Sequence, residues 1–82
     1  MIEVECKISA LHPQTIVMHG WSFEENAFWD YSRYGCWVKG PCGEQHEFLP
    51  DTVGGEEKRI LCGKQVSVKR SRRHLLHITI DE

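Results

Sequence analysis

The chain has no apolar run as long as a membrane helix requires, no serine-nucleophile motif, no glycine-rich phosphate loop and no paired catalytic carboxylates in a recognisable setting. A helical membrane span is thereby excluded, and no motif supports an enzyme. Its length also excludes a doubly wound cofactor-binding sheet. Proline is scarce, at three residues in 82, and no repeat or low-complexity tract marks a linker. The first residues, Met1-Ile2-Glu3-Val4-Glu5-Cys6-Lys7, lack the basic start and apolar core of a secretory signal, so a cytoplasmic location is the expectation.

What is present describes one small globular domain over residues 1–82, with 40% hydrophobic and 27% charged residues. A chain this short buries about 63% of its unfolded surface, which leaves little surplus over the entropy of ordering. Stability is therefore expected to be modest unless a metal, a disulfide or a partner adds to it.

Residues 2–8 alternate strictly, Ile2, Val4, Cys6 and Ile8 against Glu3, Glu5 and Lys7, the pattern of a half-buried strand. Leu76, Ile78 and Ile80 alternate with His77 and Thr79 in the same way, so both ends of the chain are expected in one sheet. His12-Pro13-Gln14 reads as a turn before a strand over residues 15–21. Residues 59–68 read as a hairpin turning at Gly63-Lys64, because glycine at the first turn position suits a type II′ connection. Residues 22–35 support two readings. Ser22 and Glu25 fit a capping box and Phe23, Ala27, Phe28 and Tyr31 keep helical spacing, while the aromatics also suit a pleated surface. The helix is preferred, and the expected fold is α+β, mainly β: an antiparallel sheet of five or six strands, curled, with one short helix at residues 22–34.

Four cysteines could pair as two disulfides, but without an export signal free thiols or metal-bound thiolates are expected. Cys6, on the apolar face of the first strand, is expected to be buried, unpaired and not a ligand. Cys42-Gly43 and Cys62-Gly63 each resemble the second half of a zinc-ribbon knuckle, where glycine lets backbone amides turn toward the sulfur. The first half is absent, since Lys39 and Arg59 stand where the other cysteines would be. A substitute zinc set would be Cys36, Cys42, His46 and Cys62, three thiolates and one imidazole suited to a tetrahedral ion. The competing reading makes the cysteines small buried hydrophobes and the glycines turn residues. His74 and His77 fall on opposite faces of a strand and cannot share one ion. For nucleophilic catalysis the one compact set is Cys42, His46 and Glu47, with nothing further to support it.

Charge is uneven along the chain. Residues 1–57 carry ten acids and three bases, whereas residues 58–80 carry seven bases and no acid. Lys69, Arg70, Arg72 and Arg73 form the densest basic run, a candidate contact for phosphate or an acidic partner whose alternative is a solvated loop. Seven of the eight Phe, Trp and Tyr residues fall within residues 21–37. They cannot all be buried under one short segment, so Trp21, Trp29, Tyr31, Tyr34 and Trp37, rimmed by Glu24 and Glu25, are the candidate partner-binding residues. The function expected is a non-enzymatic interaction module, a small regulator or inhibitor that needs no cofactor. Its partner would be a protein or nucleoprotein, met through the aromatic acidic segment and, separately, the basic loop. The alternative is a zinc-supported, ribbon-like domain that binds nucleic acid.

Overall fold

The computed structural model describes residues 1–7, 15–27 and 34–81. Among the described residues eight strands follow in order: β1 (Ile2–Lys7), β2 (Thr15–Met18), β3 (Trp21–Ala27), β4 (Tyr34–Lys39), β5 (Gln45–Phe48), β6 (Glu56–Leu61), β7 (Lys64–Arg72) and β8 (Leu75–Asp81). They form two four-stranded antiparallel sheets, with strand orders β1-β8-β7-β6 and β2-β3-β4-β5. Apart from the pairing of β1 with β8, hydrogen-bonded neighbours are also neighbours in the chain. The topology is therefore an up-and-down meander split into two facing halves.

The expected pairing of the chain ends is present, with Ile2 opposite Ile80, Val4 opposite Ile78 and Cys6 opposite Leu76. Because side chains alternate across a strand, this register points Ile2, Val4 and Cys6 the same way as Leu76, Ile78 and Ile80. They join Val66, Val68 and Leu61 from their own sheet and Trp21, Phe23, Cys36, Val38 and Phe48 from the other in one apolar cluster. Full burial of each large side chain contributes roughly 1.5–3 kcal/mol, so this shared core is the main force holding the sheets face to face.

The short helix expected at residues 22–34 is not formed, and eight strands in two sheets replace the expected five or six. Residues 21–27 are β3, Tyr34 opens β4, and residues 28–33 lie outside the described residues. The physical reason is the turn before β3. His19 and Gly20 both have positive φ, 52° and 82°, the type I′ geometry that matches the twist of paired strands. It sets Met18 opposite Trp21 and Ile16 opposite Phe23, and burying Trp21 and Phe23 on one face outweighs local helix preference.

The β6–β7 hairpin is present, but its turn is one residue earlier than expected. Leu61 pairs with Lys64, and Cys62 and Gly63 make the turn with φ of 52° and 75°. The turn is thus type I′ rather than II′. Glycine occupies its second central position, and Cys62 adopts a left-handed backbone that few side chains take.

Candidate interaction face

The outward positions of β3, β4 and β5 are set by the same alternation that fills the core. Register places Glu24 opposite Trp37 and Trp37 opposite Glu47, with Thr15 completing the row on β2. Side chains directly opposite on one face have Cβ atoms about 4.5–5.5 Å apart. Trp37, 36% exposed, therefore stands between two glutamates in this row. The next row is Val17, Ser22, Lys39 and Gln45. Glu24, Trp37 and Gln45, together with Glu25, line an open concavity of about 240 Å³.

A tryptophan with a glutamate at each neighbouring position of its row favours positive charge nearby, because the ring quadrupole and the acids act with the same sign. Gln45 and Glu47 are absent from the partner-binding residues read in the sequence, where Glu47 stands only beside Cys42 and His46, and the β4–β5 register adds them. Buried Phe48 and half-buried His46 face inward, so Gln45 and Glu47 are turned outward beside Trp37.

The other aromatic candidates divide. Trp21 is buried, 3% exposed, and belongs to the core. Glu25 is also buried, facing inward opposite Cys36. Trp29 and Tyr31 lie outside the described residues, as does the side chain of Tyr34.

The basic candidates divide as well. Lys69, Arg72 and Arg73 are exposed, but Arg70 is 6% exposed. It continues the inward series of Val66 and Val68, and its Nε donates to the carbonyl of Pro50 at 2.7 Å and its Nη1 to the carbonyl of Arg73 at 2.6 Å. Its backbone is bonded to Gly54 and Gly55 on both sides, at 2.8 and 2.9 Å. Burial lowers its pKa, while nearby Asp51 opposes that shift. Arg70 thus fastens the loop over residues 49–55 and the β7–β8 turn to the core, leaving Arg72 and Arg73 to face solvent.

Charge that is segregated along the chain is interleaved across the β1-β8-β7-β6 sheet. One outward row reads Glu5, His77, Lys69, Glu56, and another Glu3, Thr79, Ser67, Lys58. Lys58 Nζ lies 3.3 Å from Glu56, and His77 Nδ1 3.7 Å from Glu5. This outer face is therefore of mixed sign, and the unbalanced bases concentrate at the turn carrying Arg72 and Arg73.

The four candidate zinc ligands are not brought together. Cys42 and Cys62 form a disulfide with Cα atoms 5.7 Å apart, joining the β4–β5 turn to the β6–β7 turn. This corrects the expectation of thiols or metal thiolates at these two positions. Cys36 points into the core beside Cys6, and half-buried His46 packs edge-on against Phe48 with ring centres 5.0 Å apart. Cys42, Glu44 and Cys62 do offer ligand atoms within 4.8 Å of one another, but both sulfurs are in the disulfide. Cys6 is fully buried as expected, and it is free.

The disulfide depends on a glycine. A Cβ at Gly40 would overlap Cys62 Sγ and lie 3.1 Å from Trp21 Cζ3 and 3.3 Å from Cys62 Cβ. Gly40→Ala is expected to destabilise the fold by about 1–3 kcal/mol, the usual cost of overpacking. A urea-unfolding midpoint equal to wild type would refute this. The chain has no match among known protein families, curated proteins or solved structures.

Proposed function

We propose that the protein is a non-catalytic binding module, a small regulator or inhibitor. Its outer β3–β4–β5 face holds a positively charged segment of a protein partner. The observation that carries this reading is the row Glu24, Trp37, Glu47. An exposed tryptophan offers large contact area with a polar edge, the commonest kind of binding anchor. The acids on both sides select for lysine or arginine and disfavour an acidic partner. Exposed Arg72 and Arg73 act separately, as long-range steering charges or as a phosphate contact on a nucleoprotein.

The test uses a lysine- and arginine-rich peptide as probe. Trp37→Ala is expected to weaken binding about 30-fold, equivalent to about 2 kcal/mol, mainly through faster dissociation. Glu24→Gln with Glu47→Gln is expected to slow association and flatten its dependence on salt, because exposed charges act at long range. Unchanged affinity in a normally folded Trp37→Ala protein would overturn the reading.

A further inference from the structure

Cys6 on β1 and Cys36 on β4 belong to different sheets and meet inside the core. Both are fully buried, and their Sγ atoms lie 4.0 Å apart across 30 residues of sequence. Both are free thiols in this structure. A disulfide needs about 2.05 Å between sulfurs, so about 2 Å of approach, shared between two side chains, separates this pair from a bond. Besides Cys6, the Cys36 thiol also reaches the carbonyl of Trp37, at 3.6 Å.

The other two cysteines of the chain are already paired. A disulfide in a small domain belongs to an oxidising compartment, and under the same conditions two thiols held this close are exposed to the same chemistry. We propose that the protein matures in an oxidising compartment, in place of the cytoplasmic location expected from the first residues, and that Cys6 and Cys36 form a second disulfide there. The mature protein then carries two bonds that both cross between the sheets.

The oxidant is a disulfide of the glutathione class. The thiolate of one cysteine attacks it, forming a mixed disulfide and releasing one glutathione thiol. The other cysteine then attacks the mixed disulfide, forming the Cys6–Cys36 bond and releasing a second. The protein loses two hydrogens and the oxidant is reduced to two thiols. In the closed fold the step is slow. Both sulfurs are fully buried, so a bulky oxidant has no access to either. Their shared hydrogen bond lowers the pKa of Cys6 and, with burial, raises that of Cys36. The bond therefore forms during folding, before the sheets close. One cross-link then sits in the core and the other at the rim, toward opposite ends of β4.

Refolding the reduced chain in a glutathione redox buffer, alkylating it after denaturation and measuring intact mass tests this directly. The expected product takes up no alkylating reagent, is four hydrogens lighter than the reduced chain, and yields a peptide in which Cys6 is joined to Cys36. The Cys42→Ser/Cys62→Ser variant isolates the second bond and is expected to be two hydrogens lighter. If Cys6 and Cys36 are fully alkylated in refolded wild-type protein whose Cys42–Cys62 bond is intact, the proposal fails. A linked peptide joining Cys6 to any other cysteine would also overturn it.

Discussion

Replacing Arg70 by alanine is expected to destabilise the protein by about 3 kcal/mol, because two charge-assisted hydrogen bonds are lost and their acceptors remain. The carbonyl of Pro50 is the more exposed to this loss of partner, since Pro50 itself is buried and water has little access there. Arg70→Met separates packing from hydrogen bonding: it restores most of the apolar stem but leaves both carbonyls without the guanidinium. It should therefore recover less than half of the loss. Arg70→Lys keeps the charge but presents one ammonium where the fork reaches two carbonyls, and an intermediate value is expected. Urea unfolding of the three variants checks the order. A change below about 0.5 kcal/mol for Arg70→Ala would mean that the loop over residues 49–55 is held by its backbone bonds alone.

The second large effect concerns the disulfide. Cys42→Ser/Cys62→Ser opens a covalent loop with a sequence separation of 20, for which chain entropy gives about 3 kcal/mol. For a domain of this size each kcal/mol moves the melting temperature by about 4–8 °C, so a fall of about 15 °C is expected. The effect is large relative to total stability because so short a chain has a small core, the condition under which a covalent staple matters most. Calorimetry of the double variant provides the measurement. A fall below about 3 °C would show that the β4–β5 and β6–β7 turns stay together without the bond.

Strands whose alternation is strict were legible without coordinates. Ile2 to Lys7 and Leu76 to Ile80 place both chain ends in one sheet, and Cys6 in the core, for the same reason: period two leaves them only one apolar face. Arg70 carried a similar signal, being in phase with Val66 and Val68, but a run of four bases within residues 69–73 reads first as a surface feature. Its burial is a tertiary fact, made tolerable by carbonyls of Pro50 and Arg73 that only the folded loops supply.

The segment from Trp21 to Ala27 misled for a different reason. It contains no valine, isoleucine or threonine, and its serine and glutamates fit a helix start. Its strand character is imposed by hydrogen bonding to β2 and β4 and by the tight turn at His19-Gly20. The disulfide was hidden because Cys42 and Cys62 are distant in sequence and their spacing alone does not pair them. What brings them together is the juxtaposition of two turns from opposite sheets. Of the candidate face, Trp37 and Glu24 were legible as an aromatic and its acidic rim. The carboxylate of Glu47 enters only through the β4–β5 register.

The central claim is that the Trp37 row receives positive charge from a protein partner. Its most direct test follows the Trp37 indole N–H in proton–nitrogen correlation spectra, as an unlabelled lysine- and arginine-rich peptide is titrated into the labelled, oxidised protein. The expected result is a saturable shift of that resonance and of the backbone amides of Glu24 and Glu47. The shift should weaken as salt rises and be absent with a glutamate-rich peptide of equal length. Shifts confined to other surfaces, or an equal response to the acidic peptide, would contradict the claim.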